Sequence, residues 1–266
     1  MVKTITPAIT VLDQNEKPDY EGNKKVIDHL IANGVDGILV LGTAGEFPNL
    51  SPEERLEFLR FYADYTAGRV ELLAGTGCVS YHDTLALSNA AYDMGYTASM
   101  VIGPYYFGLD QEKLFQYYDR LASEIKGDMY LYNFPPRSGH SIAPETIGRL
   151  VDAHTNIVGL KDSVAEPAHT NGVFQAVKGH RFTIYSGMDD QFLLNLSHHG
   201  GGVIGALSNV VPEMWSDLVR AANREDFTRT MELSALIGKL TLLYGMDSNC
   251  SLLIKKLMVY RGLEIS

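Results

Sequence analysis

Short runs of apolar, β-favouring residues alternate along the chain with stretches of helical period. The first run covers residues 5–10, and an amphipathic helix follows with Val26, Ile27, Leu30 and Ile31 on one face. Residues 37–42 then read Gly-Ile-Leu-Val-Leu-Gly. Ser51 is placed to cap the next helix, with Pro52 at its first position and Glu53 and Glu54 in its first turn, where exposed amides favour negative charge. Further strands are predicted at 70–75, Ala98–Ile102, Met129–Asn133, 157–161, 182–186 and 203–206. Helices are predicted at 83–94 and Gln111–Glu124, and from Pro144 onward. Residues 226–260 read as additional helix.

Eight strands, each followed by a helix, fit a (β/α)8 barrel in one domain over residues 1–225, with a C-terminal helical extension over 226–266. Most of the strands are apolar on both faces, as a parallel sheet covered by helices requires. A doubly wound open sheet would carry a glycine-rich fingerprint after its first strand, but Thr6-Pro7-Ala8-Ile9-Thr10 stands there. No low-complexity linker interrupts the chain.

Charge and cysteine content narrow the function. Lys and Arg number 22 against 32 Asp and Glu, a net charge of −10. Such a surface repels phosphate backbones and anionic lipid, so neither a nucleic-acid nor a membrane partner is expected. The two cysteines, Cys78 and Cys250, exclude a disulfide scaffold and a cysteine-based zinc site, and suit a reducing cytoplasm. The first residues lack the apolar core of a secretory signal, and no window approaches the ~18 apolar residues of a membrane span.

In a βα barrel the reactive groups gather at the C-terminal ends of the strands. Lys161 directly follows the buried run Ile157-Val158-Gly159-Leu160. Burial there disfavours the charged ammonium, and a free amine can attack a ketone or aldehyde to form a Schiff base. The competing reading is a lysine that leaves for solvent or pairs with Asp162. Tyr132 ends the adjacent strand, where a phenol can carry protons to and from a carbinolamine; it could equally be a packing tyrosine. Thr43 could hydrogen-bond that phenol or merely close a turn. The backbone amides of Thr43 and Ala44 sit where a nest could hold a carboxylate. Arg137 could pair with a second carboxylate or remain a solvated loop arginine.

Together, Gly42-Thr43-x-Gly45-Glu46, Pro104-Tyr105-Tyr106, Tyr132-Asn133-x-Pro135 and Gly159-Leu160-Lys161-Asp162 resemble the dihydrodipicolinate synthase/N-acetylneuraminate lyase family over essentially the whole chain. The resemblance implies a (β/α)8 barrel and a class I, Schiff-base-forming carbon–carbon lyase. Pyruvate is then condensed with an aldehyde, or a 2-keto acid is cleaved to pyruvate and an aldehyde. Lys161 matches the Schiff-base lysine, Tyr132 the proton-relay tyrosine, and Thr43 the residue linking it to a second tyrosine, Tyr106. In the family that second tyrosine enters the neighbouring subunit, which implies a homodimer or homotetramer. Ala44, Gly187 and Ile204 match positions around the pyruvyl group. Ala44 stands where a second hydroxyl residue is common. Arg137 matches the arginine with which dihydrodipicolinate synthases hold aspartate semialdehyde, whereas Gly45-Glu46-Phe47 is more like some 2-keto-3-deoxy sugar acid aldolases. Phe47, Pro48 and Val79 stand where lysine-inhibited synthases tend to carry small or polar side chains. N-acetylneuraminate lyase chemistry and a non-catalytic 2-keto acid binding barrel are the remaining alternatives. Relatives usually continue for a few helical turns beyond this C-terminal region, so either the extension is short or its end lies beyond this sequence.

Other constellations carry less. His198-His199 follows Leu193, Leu194 and Leu196 on a helix, away from the expected barrel mouth, so neither a metal nor a cofactor is expected. Gly200-Gly201-Gly202 precedes the eighth strand and reads as a tight turn rather than a phosphate loop. Cys78 reads as a bystander thiol. The aromatic runs 105–107 and 117–118 could serve an interface or the core.

Overall fold

The apolar runs pair in chain order and close on themselves. The computed structural model describes residues 1–265, with β1 (Lys3–Pro7), β2 (Gly37–Val40), β3 (Glu71–Gly75), β4 (Ala98–Ile102), β5 (Met129–Asn133), β6 (Ile157–Asp162), β7 (Thr183–Ser186) and β8 (Gly202–Val203) forming one closed parallel barrel. β8 pairs back onto β1 through Lys3–Gly202 and Thr4–Val203. Helices fill the crossovers: α1 (Tyr20–Ala32), α2 (Pro52–Thr66), α3 (Tyr81–Asp93), α4 (Gln111–Glu124), the short α5 (Pro135–Ser138), α6 (Pro144–Ala153), α7 (Pro167–Ala176), α8 (Phe192–Ser197) and α9 (Pro212–Asn223). The extension adds α10 (Phe227–Leu240) and α11 (Cys250–Tyr260).

Capping follows the sequence signals. Ser51 accepts from the Glu54 amide while the Glu54 side chain accepts from the Ser51 amide, closing a capping box on α2. Every residue of β4 and β6 is buried, because helices cover the outer face and side chains fill the interior. Ile147 and Leu150 of α6 join Leu131 and Leu160 of the sheet in one buried cluster. Each such side chain contributes roughly 1.5–3 kcal/mol by leaving water.

Two strands are shorter than expected. β1 ends at Pro7 rather than at 10: the Ala8 amide still bonds Leu39 O, but the Ile9 amide turns to Asn209 Oδ1 and leaves the ladder. β8 pairs over only two residues, although the Ile204 amide still bonds Ser186 O. The triple glycine is the expected tight turn: Gly202 has φ +112°, and a Cβ there would lie 2.1 Å from Lys3 O. His198 closes α8 and stacks on Phe174 at 4.7 Å. Tyr118 is core, whereas Tyr106 and Phe107 are 84% and 70% exposed. No helix among the described residues is long and apolar enough to cross a membrane.

The additional helix expected over 226–260 is present as two helices with a break between them. It breaks into a 3-10 turn at Thr241–Met246 and restarts at Cys250. Gly245 and the Asp247-Ser248-Asn249 run explain the break, since all prefer turn or cap conformations to a helix interior. Asn249 caps α11 by accepting from the Leu252 amide.

Candidate active site

The register of β5 on β6 sets the centre of the site. Tyr132 pairs directly with Lys161, and Asn133 with Asp162. In a barrel, alternate residues of a strand point inward, so this pairing puts both side chains at the mouth together. Lys161 is only 3% exposed, and its Nζ lies 4.4 Å from the centroid of the Tyr132 ring. It joins none of the ion pairs among the described residues; Asp162, the partner weighed from sequence, is engaged elsewhere. Room for the lysine chain comes from Gly187, where a Cβ would fall 1.9 Å from Ser163 Oγ and 3.2 Å from Lys161 Cε.

The Tyr132 hydroxyl lies 3.1 Å from Thr43 Oγ1, within hydrogen-bond distance. Thr43 is held by the loop after β2, which the extension clamps from outside. Ser251 Oγ donates to Thr43 O at 3.3 Å, and Lys255 pairs with Glu46.

Asp162 locks the strand ends behind the lysine. It accepts from Thr170 Oγ1 at 2.7 Å and Asn133 Nδ2 at 3.0 Å, and faces His169 Nδ1 at 3.0 Å. The other ring nitrogen of His169 faces Ile142 O at 2.9 Å. Both neighbours are acceptors, so the ring is satisfied as an imidazolium donating twice. Burial alone would lower the His169 pKa, but the hydrogen bond and charge of Asp162 outweigh it and raise it above the ordinary value.

Lys161, Tyr132 and Thr43 line a cavity of about 370 Å³. Of the eight residues singled out from sequence, Lys161, Tyr132, Thr43, Ala44, Arg137, Gly187 and Ile204 lie on its wall. Arg137 belongs to α5 rather than to an open loop. Tyr106 does not line it; that side chain is exposed, with φ +84° and its ring against Phe107 at 4.8 Å. Cys78 is also outside, buried with its thiol 2.9 Å from Arg55 Nη1.

Sequence reasoning missed the outer half of the wall. The broken segment of the extension delivers Thr241, Tyr244, Asp247, Ser248, Cys250 and Ser251 to it. Tyr244 Oη donates to Asp189 Oδ2 at 2.5 Å across 55 residues of sequence. Asp189 follows β7, but nothing local in the sequence marks Tyr244 as its partner. Burial pushes the Asp189 carboxyl up to about 6, although the Tyr244 hydrogen bond, the nearby Leu207 amide and the Lys161 charge all favour the anion. Burial and the Asp189 charge hold the Tyr244 phenol neutral, well above its ordinary range. Burial likewise raises the Cys250 thiol and Asp189 adds to it, against the charges of Arg137 and Lys161.

Chemically, the cavity offers a buried primary amine, a phenol against it, the Thr43–Ala44 segment, one guanidinium, and a hydroxyl-rich outer rim. The chain is matched over residues 1–266 by the model of the dihydrodipicolinate synthetase family. It is 32% identical over 264 residues to the putative 2-dehydro-3-deoxy-D-gluconate aldolase YagE of Escherichia coli (strain K12), covering 98% of this chain and 87% of that protein. It is 33% identical over 245 residues to the 4-hydroxy-tetrahydrodipicolinate synthase of Methanococcus maripaludis, covering 92% and 84% of the two chains. The crystal structure of YagE in complex with pyruvate superposes with a TM-score of 0.96, covering 100% of this chain and 90% of that one. Sequence, fold and the contents of the barrel mouth agree, and the chain belongs to the dihydrodipicolinate synthetase family.

Proposed function

We infer that this lyase of the dihydrodipicolinate synthetase family works as a Schiff-base aldolase, with Lys161 as the nucleophile and Tyr132 as its proton carrier. The observation that carries the reading is the buried Lys161 amine against Tyr132, itself within hydrogen-bond distance of Thr43. In its uncharged form Nζ attacks C2 of pyruvate to give a carbinolamine. Tyr132 supplies the proton with which the C2 hydroxyl leaves as water, and an iminium remains. The Tyr132 phenoxide takes a C3 proton to give the enamine, C3 attacks the aldehyde carbon, the aldehyde oxygen takes that proton as it becomes a hydroxyl, and water hydrolyses the new iminium to free the 2-keto acid and the amine. Cleavage is the same path reversed. The pyruvyl carboxylate is taken by the amides of Thr43 and Ala44. Gly187 and Ile204 flank the pyruvyl carbon chain. The likeness to YagE, described with pyruvate, supports this half of the reading.

For the aldehyde, the hydroxyls of Thr241, Tyr244, Ser248 and Ser251 favour a polyhydroxylated tail, and so a 2-keto-3-deoxy sugar acid as the condensed product. A second relative, the probable 2-dehydro-3-deoxy-D-pentonate aldolase YjhH of Escherichia coli, is 31% identical over 263 residues. Arg137 on the cavity wall favours the rival, aspartate semialdehyde, whose carboxylate a guanidinium holds well. Tyr106, exposed beside Phe107, fits a residue offered to a second copy of the chain, which supports a homodimer or a larger homo-oligomer.

Borohydride reduction in the presence of pyruvate, followed by peptide mass mapping, tests the reading: a pyruvyl adduct on Lys161 is expected, and its absence would refute it. A panel of glyceraldehyde, aspartate semialdehyde and N-acetylmannosamine with pyruvate then assigns the aldehyde.

A further inference from the structure

The 3-10 turn in the outer wall of the cavity is tied to the barrel by a hydrogen bond from Tyr244. The 3-10 turn Thr241–Met246 has no fully buried residue; Leu242 and Met246 are 79% and 70% exposed, and the partly buried Tyr244 packs against the core. Within it, the Thr241 hydroxyl bonds back to Gly238 O in α10 and reaches nothing in the barrel. Among the described residues, the side-chain hydrogen bond from this turn to the barrel is Tyr244 Oη to Asp189 Oδ2.

The acceptor is built for that bond. Asp189 is 6% exposed at the end of β7, and its other oxygen, Oδ1, is buried with no hydrogen-bond partner. Gly205 leaves space for it, since a Cβ there would fall 2.1 Å from Oδ1. An acidic side chain is thus fixed beneath the turn at a cost in solvation, and Tyr244 is the donor that offsets it. Both residues line the same cavity as Lys161.

We propose that Tyr244, docked on Asp189, is the specificity-determining residue for the aldehyde end of the substrate: the pair fixes the distance between the outer wall and the Lys161 amine. The proposal rests on the aldolase reading above. It assigns to the extension a share of substrate choice and leaves Schiff-base formation to the barrel. Asp189 acts through Tyr244 and is a positioning residue.

The test separates the two halves of the reaction. Tyr244→Phe keeps the ring and removes the bond. With 2-dehydro-3-deoxy-D-gluconate as the cleavage probe, KM is expected to rise about tenfold to a hundredfold, as loss of a hydrogen bond to a charged group does, with a smaller change in kcat. Borohydride trapping of pyruvate on Lys161 in the same variant is expected to match the parent. Asp189→Asn, which keeps an acceptor for the phenol, is expected to fall between the two. Unchanged KM in Tyr244→Phe would overturn the proposal. So would loss of pyruvate trapping in that variant, because the residue would then serve the amine rather than the aldehyde. Failure of the parent enzyme itself to trap pyruvate refutes the aldolase reading instead, and so the two failures are distinguishable.

Discussion

Lys161 and Tyr132 are register partners on neighbouring strands, and the lysine Nζ sits 4.4 Å from the centre of the tyrosine ring. Hydrogen bonding across β5 and β6 fixes that relationship in the backbone, so the proposed nucleophile and its proposed proton carrier are placed by sheet geometry rather than by a mobile loop. The chemistry therefore depends on two side chains that cannot drift apart while the barrel is closed.

Lys161→Ala leaves the Tyr132 ring in place but removes the amine. Turnover is expected to fall by ~10⁴-fold or more, with no borohydride-trapped adduct anywhere in the chain. Tyr132→Phe keeps the packing and removes the proton carrier, with a loss of ~10²–10⁴-fold in kcat. Steady-state rates with pyruvate and the best aldehyde of the panel check both. Near-normal turnover in Lys161→Ala would place the nucleophile elsewhere.

Thr43→Val is isosteric and removes the hydroxyl 3.1 Å from the Tyr132 phenol. Losing one such hydrogen bond is worth about 1 kcal/mol, or roughly fivefold to tenfold in kcat. Pyruvate binding is expected to survive, because the Thr43 and Ala44 amides are unchanged. A pyruvate titration beside the kcat measurement distinguishes these effects.

The inner half of this site could be read from sequence and the outer half could not, for a physical reason. Lys161 and Tyr132 end apolar strands, so the barrel rule alone aims them at the mouth, and seven of the eight expected residues do line the cavity. Tyr244 ends no strand. It reaches the site because α10 stops at Leu240 and the chain turns inward before α11, and its partner Asp189 lies 55 positions away. A helical period counted through 226–260 hides that break. Tyr106 shows the converse, since its motif is local and clear but its side chain leaves the cavity of its own chain.

Arg137, on the cavity wall, offers a test between the two proposed aldehydes. Arg137→Ala is expected to raise KM for an aldehyde bearing its own carboxylate by about tenfold or more, and to leave glyceraldehyde nearly unaffected, since a bidentate guanidinium pair has no counterpart on an uncharged aldehyde. Equal effects on the two would remove the guanidinium from substrate recognition.

His169 gives the strand ends behind Lys161 a pH dependence. Its pKa is raised in the folded chain above the ordinary 6.5, because the hydrogen bond and charge of Asp162 outweigh burial. The folded state therefore holds the proton more tightly than the unfolded one. The resulting stability is fully present below pH 6.5 and is lost as pH rises through the higher folded value. His169→Gln is expected to lower stability by roughly 2 kcal/mol in mildly acidic buffer and by less in alkaline buffer. Denaturant melts at a series of pH values measure this, and a difference independent of pH would refute the imidazolium.

Asp189 has its pKa raised as well, but it is an acid, and here it is the charge that burial makes costly. Burial moves its carboxyl from 3.8 to about 6, so the folded state binds a proton that the unfolded chain has already released between those values. Stability tied to this group is fully present below pH 3.8 and is lost as pH rises through about 6. The displacement corresponds to a loss on the order of 3 kcal/mol. Lys161 from β6, Tyr244 from the turn and the Leu207 amide all favour the anion, while Asp190 opposes it, and their effects are already contained in that position. Cys250, the remaining titratable neighbour, has its thiol raised and stays uncharged through this window. Asp189→Asn carries no such charge. Its stability relative to the parent is therefore expected to improve by about 2–3 kcal/mol from about pH 3 to about pH 7, even as its KM for the aldehyde end worsens. A flat difference across that window would mean that the carboxylate is solvated in the fold and that the Tyr244 bond is not the one holding it.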